Sequence, residues 1–152
     1  MIRFRFFGGL ALFFLALVSC VSTKSTLKNV DPYAPIPKLI KPNQFIVTDY
    51  SKDPKYGFDP DYPVNVFYQS TKNDTINAVR YLNALAGPKG EKLTFKKVNT
   101  CCPFPTKNTG MGAGMLDIYE LQWAGNSKPI QLYVNSYERG FLLIPIGLTV
   151  KK

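Results

Sequence analysis

The chain has 152 residues, 19 Lys plus Arg against 10 Asp plus Glu, 3 Cys and no His. That is about one ordinary domain, too short for a (β/α)₈ barrel of roughly 250 residues or for a two-lobed dinucleotide enzyme. Zero His removes the commonest general base, the usual triad partner and the commonest zinc ligand together. The apolar content of 45% belongs to a folding chain, and the formal charge of +9 makes nucleic-acid binding a reading to test.

Met1-Ile2-Arg3-Phe4-Arg5 is a short basic start, and Phe6 to Val18 follows with no polar side chain. Thirteen apolar residues are too few for a membrane span of about 20. A basic start with a short apolar core is a secretory signal, expected over residues 1–19. Leu17-Val18-Ser19-Cys20 closes that core and resembles a bacterial lipobox. The resemblance implies cleavage before Cys20, a thioether-linked diacylglycerol on it and an acyl chain such as palmitate on its amine, with no other cofactor. Several acyl chains on one residue anchor stably where one would be marginal. Cleavage leaves 133 residues and, without Arg3 and Arg5, 17 basic against 10 acidic, a charge of +7. Ser22 stands where Asp would retain a lipoprotein in the inner membrane, and Val21 to Leu27 holds no acidic residue that would direct surface export. The expected location is the outer membrane, on its periplasmic face.

Residues 20–55 read as the lipidated end and a Pro/Lys-rich tether, broken by Pro32, Pro35, Pro37, Pro42 and Pro54. Within it, Gln44-Phe45-Ile46-Val47 is a candidate strand that docks on the domain. Gly57 to Pro63 is turn chemistry, and Val64 to Tyr68 reads as a strand. A helix is predicted over about 74–86: Asn73 and Asp74 can cap it, and Ile76, Val79, Leu82 and Leu85 give one apolar stripe. Gly87 then supplies a left-handed stop and Pro88 prevents continuation. Leu93 to Val98 is a strand, Asn99 to Gly114 is irregular, and Met115 to Trp123 is a strand. Ala124 to Lys128 is a hairpin loop, Ile130 to Asn135 alternates as a half-buried strand, and Phe141 to Val150 is a final apolar run. The expectation is a single small α+β domain over 56–152, one helix packed on a mainly antiparallel sheet.

With Cys20 lipidated, only Cys101 and Cys102 remain, adjacent in Asn99-Thr100-Cys101-Cys102-Pro103-Phe104-Pro105. Neighbouring Cα atoms sit about 3.8 Å apart, below the roughly 4.4–6.8 Å of an ordinary disulfide. The pair therefore forms a strained vicinal ring, stays reduced, or bridges to another chain. Three functional readings attach to it: a redox switch, a soft-metal site with Met111 and Met115 as further sulfur ligands, or a nucleophile, which lacks a His to activate it. The plainer reading is a rigid turn, or two small apolar residues filling a gap. Gly110, Gly112 and Gly114 precede a strand instead of opening a helix, so they are no phosphate loop.

Three pieces carry a family resemblance: Tyr81-Leu82-Asn83-Ala84-Leu85-Ala86-Gly87-Pro88-Lys89-Gly90-Glu91-Lys92, Cys101-Cys102-Pro103-Phe104 and Met115-Leu116-Asp117-Ile118-Tyr119-Glu120. From about Tyr56 to Pro145 the chain resembles a family of small bacterial envelope lipoproteins, mainly of the Bacteroidota, some of which bear the label 2-dehydro-3-deoxyphosphooctonate aldolase. The residues oppose that label. The aldolase chemistry belongs to a barrel about twice this length acting on a cytoplasmic sugar phosphate, and here there is an export signal with neither a phosphate loop nor a metal cluster.

Tyr119, Trp123, Tyr133 and Tyr137 are candidates for an aromatic platform that binds sugar or peptide; cross-strand packing is the plainer account. Asp59 and Asp61 flank Pro60 as turn residues. Much of the excess Lys falls in the tether and the last two residues, near the expected bilayer, and not in one nucleic-acid face. The reading is a membrane-anchored envelope lipoprotein whose domain has a non-enzymatic binding or structural role. Its partners are the bilayer through Cys20 and an envelope protein or glycan, with no nucleic acid. The alternative is a thiol-dependent redox or soft-metal protein acting through Cys101 and Cys102; an enzyme ranks third.

Overall fold

The computed structural model describes residues 24–67 and 75–151; the expected signal peptide, Cys20, Tyr68 and the capping residues Asn73 and Asp74 lie outside them. The elements in order are β1 (Leu39–Lys41), β2 (Gln44–Phe45), β3 (Val64–Asn65), α1 (Ile76–Leu82), β4 (Leu85–Ala86), β5 (Thr94–Pro105), β6 (Ala113–Gln122), β7 (Ile130–Asn135) and β8 (Thr149–Val150). A four-stranded sheet, ordered β3-β7-β6-β5, forms the body, with β3 parallel to β7 and the other pairs antiparallel. Two short ribbons, β1-β2 and β4-β8, accompany it.

The period-two pattern in β6 and β7 makes this sheet. Tyr119 stands opposite Leu132, and Asp117 opposite Val134. Tyr119, Leu121, Leu132 and Val134 enter the main core with Val64, Ile144 and Leu148. Phe104, Leu116 and Ile118 are also buried but belong to no part of that cluster. Strand β5 runs on to Pro105, through residues expected to be irregular. It tolerates Pro103 and Pro105 because it is an edge strand, where a missing amide donor breaks no ladder on the open side. Two register shifts, between Lys97 and Asn99 and between Cys101 and Phe104, absorb the mismatch with β6.

The expected α+β architecture is corrected here. The described chain is 36% strand and 6% helix, a mostly β fold and not a helix packed on a sheet. The helix has seven residues, too few to cover a sheet. It buries Asn77, Ala78, Tyr81 and Leu82, a face rotated from the expected Ile76, Val79, Leu82 and Leu85 stripe, and it neighbours β2. It stops early because Leu85 and Ala86 pair with Val150 and Thr149, and the Lys151 amide donates to the Ala84 carbonyl at 2.8 Å. Gly87 is not its left-handed stop; the cap is Asn83 at φ −65°. Gly87 instead lies under Trp123, where a Cβ would come within 3.0 Å of the indole.

The Pro-rich segment, read as a tether, packs on the body between Lys28 and Val47. Ala34, Phe45 and Val47 are buried. The Lys28 amide donates to the Asp61 carbonyl and the Asp31 amide to the Arg139 carbonyl, both at 2.8 Å. Side-chain amides, with Asn65 and Asn135 buried and Asn29 half-buried, clamp this strap. Asn29 Nδ2 donates to the Pro63 carbonyl at 2.7 Å, Asn65 Nδ2 to Asn29 Oδ1 at 3.0 Å, and Asn135 Nδ2 to Asn65 Oδ1 at 2.8 Å. Asn135 Oδ1 then accepts the Tyr137 amide at 2.9 Å. The side-chain amides of Asn29, Asn65 and Asn135 each donate in this relay, which offsets the cost of taking them out of water.

Two buried phenols fasten the C-terminal run. Tyr56 donates to the Phe141 carbonyl at 3.1 Å and accepts the Leu143 amide at 3.0 Å, while Tyr81 donates to the Leu143 carbonyl at 2.7 Å. Burial pushes both hydroxyls well above the usual tyrosine range. The Leu143 amide pulls Tyr56 partly back, and neighbouring Tyr56 raises Tyr81 further.

Candidate functional site

Cys20, the expected lipid attachment residue, lies outside the described residues. Among them, no helix is long and apolar enough to cross a membrane.

Cys101 and Cys102 are joined in a vicinal disulfide on the edge strand, both half-buried. The ring sits where β5 shifts register against β6. Cys102 takes φ +59°, a left-handed conformation that L-residues adopt at a cost of about 1–2 kcal/mol. The oxidised ring offers no thiolate to a metal or a substrate. Cys101 stands opposite buried Leu116, so strand alternation turns Met115, 44% exposed, to the other face. Met111 is 89% exposed in the loop beyond β5. Cys101 and Met115 thus lie on opposite faces of the sheet, and the two cysteines are bonded to each other. Among the described residues, no three His, Cys, Asp or Glu side chains cluster to hold a metal ion.

The four aromatic candidates also part company. Tyr119 is 3% exposed in the core, opposite Leu132. Tyr133 pairs with Ile118 and so occupies the other face of the sheet. Trp123 packs half-buried on the core beside Gly87. Tyr137 stands edge-on to Phe104, with ring centroids 6.1 Å apart. Tyr119 and Trp123 pack on the core and Tyr137 on Phe104, while Tyr133 lies on the face opposite Tyr119, so the four do not form one platform.

A different site emerges between the strap, the helix and the turn after β7. A cleft of about 200 Å³ has apolar walls from Pro35, Ile36, Phe45, Phe67 and Leu142, and two cations, Arg80 and Arg139. Arg80 lies over the Phe45 ring at 6.0 Å and Arg139 over the Phe67 ring at 5.0 Å, within the range of cation–π attraction. Arg80 donates from Nε to the Pro42 carbonyl at 3.1 Å and from Nη1 to Asn77 Oδ1 at 3.0 Å. Arg139 donates from Nη1 to the Pro32 carbonyl at 3.5 Å. A guanidinium has five N–H donors. Neither Arg has a carboxylate partner among the described residues, whose ion pairs all use Lys.

Sequence reasoning missed this pair, although a signal was present. Beyond Arg3 and Arg5 the chain has 15 Lys and only these two Arg. Lys is a mobile point charge, whereas Arg is a planar fork that stacks on rings and grips oxyanions in two places. Both departures from Lys converge on one cleft from positions 59 residues apart. The helix turn positions Arg80, and the Asp31–Arg139 backbone bond positions Arg139.

No protein-family model, curated protein sequence or solved structure matches the chain.

Proposed function

We propose that the protein is an exported lipoprotein of the bacterial envelope, anchored through Cys20, whose β domain binds and does not catalyse. The anchor rests on Leu17-Val18-Ser19-Cys20 at the end of a 13-residue apolar run behind two Arg. An oxidised Cys101–Cys102 pair fits an oxidising compartment.

The observation that carries the binding role is the cleft holding both Arg80 and Arg139, stacked on rings and without a carboxylate partner among the described residues. Its chemistry suits a carboxylate or phosphate borne by an apolar body, supplied by an envelope protein or an acidic glycan. Charged hydrogen bonds to an oxyanion stabilise a complex by about 1.5–3 kcal/mol each. Arg80→Ala combined with Arg139→Ala should therefore weaken a fluorescent anionic amphiphile, anilinonaphthalene sulfonate, by tenfold or more in a titration. Equal affinity in the parent and double variant refutes the site.

A second reading, thiol exchange, is favoured by the position of the disulfide on an open edge strand. Reduction by a dithiol would add two electrons and two protons to the ring, oxidise the dithiol to its disulfide, and free two thiols.

A further inference from the structure

Beyond the ligand cleft, the fold constrains how the domain meets its membrane; this rests on the lipidation of Cys20. Lys24 is four residues from Cys20, and four residues span at most about 14 Å. From Lys28 onward the strap is fastened to the body through the Asp61, Pro63 and Arg139 carbonyls. Little free chain is left to lift the domain away, so the surface around Lys24 has to lie near the lipid headgroups.

That surface has a definite composition. Lys24 and Leu27 share a shallow depression with Lys107, from the loop between β5 and β6. The Thr106 amide closes this loop onto the Gly112 carbonyl at 3.0 Å. Asn108 Nδ2 fixes it to the body through the Tyr137 carbonyl at 2.8 Å and Glu138 Oε2 at 3.1 Å. Met111 protrudes from the same loop, 89% exposed, and Tyr33 beside Pro32 at the rim is 91% exposed. Acidic groups are present too: Glu138 is buried, Asp31 Oδ1 accepts the Tyr33 amide at 2.8 Å, and Asp61 is exposed where its carbonyl holds the Lys28 amide. Lysines with an exposed thioether and an exposed phenol suit the boundary between anionic headgroups and acyl chains.

We infer that this end of the domain, with Lys24, Tyr33, Lys107 and Met111, rests on the bilayer, and that strands β5 and β6 rise from it with their connecting loop at the membrane. The opposite end follows from the topology. Strand β6 has ten residues and spans about 33 Å. The β5–β6 loop is at one end of it, and the β6–β7 loop with Trp123 and Lys128 is at the other.

The test uses the full lipidated chain in vesicles of phosphatidylethanolamine and phosphatidylglycerol, with the Cys20→Ala chain in solution as reference. Acyl-chain labelling of Cys20 is measured first. A membrane-impermeant amine reagent, read by mass spectrometry, should modify Lys107 several-fold more slowly in vesicles than in the reference, with Lys128 unchanged. In a Met111→Trp chain, the added indole emission should be quenched by brominated lipids, while Trp123 in the parent is not. A labelled, anchored chain in which Lys107 and Lys128 react alike and neither indole is quenched overturns the orientation and leaves the anchor standing. A chain that takes no acyl label overturns both.

Discussion

The two buried phenols make the domain sensitive to alkali in a calculable way. In an unfolded chain a tyrosine ionises near pH 10. In the folded chain, burial keeps Tyr56 and Tyr81 protonated well beyond that. Below pH 10 both states hold these protons and the pair adds no slope. Above it the unfolded state holds fewer protons, so stability falls as pH rises towards the folded values. At pH 11 the loss is about 1.4 kcal/mol for each tyrosine and about 2.8 kcal/mol for the two. Because the phenols adjoin each other, the loss belongs to the pair as a unit. The assay is urea unfolding of the detergent-solubilised chain, followed by Trp123 emission, at several pH values from 9 to 11. Tyr56→Phe lowers the starting stability by removing the bonds to Phe141 and Leu143, but it should halve the alkaline loss. An alkaline loss of the same size in parent and variant, or no loss in the parent, refutes the reasoning.

The vicinal ring should matter little to stability. A disulfide closing a two-residue loop contributes about 1.2 kcal/mol of chain entropy, and the left-handed Cys102 costs about as much. Cys101→Ser with Cys102→Ser should therefore shift the urea-derived stability by less than about 1 kcal/mol; a loss above about 3 kcal/mol would show the ring to be a staple. Asn65→Leu should cost about 3 kcal/mol in the same assay, because it strands the Asn135 amide and the Asn29 carbonyl together. It should also expose the strap to limited proteolysis near Asn29, and an uncut strap would show that the amides do not hold it.

The strands were legible where alternation is unambiguous. Leu121, Leu132 and Val134 announce β6 and β7, and all three are core residues. The helix was legible as an element but not in its length or face. Its apolar stripe extends to Leu85, yet Leu85 is claimed by a pairing with Val150, 65 positions away, which no local pattern contains. The strap misled for a related reason. Prolines report only that a segment is neither helix nor central strand, and an extended segment packs as readily as it dangles. What binds it here is Asn29 and Asn65, residues that read as turn formers in isolation. The aromatic quartet failed because alternation was followed within a strand but not across the hairpin, where register sends Tyr119 and Tyr133 to opposite faces. The cleft was invisible to periodicity and needed a different question: which rare residue type the chain uses where another would serve.

Under the envelope location proposed above, the amide chain from Asn29 through Asn65 and Asn135 to Tyr137 has a consequence. Periplasmic acidity follows the surroundings of the cell. A clamp built from histidines or carboxylates would tighten and loosen with every such change. Side-chain amides neither gain nor lose a proton over that range, and the chain has no histidine at all. The amide relay between strap and sheet thus carries no titrating group of its own. The strap walls of the cleft, Pro35 and Ile36, are thereby held against the body while the medium around them varies.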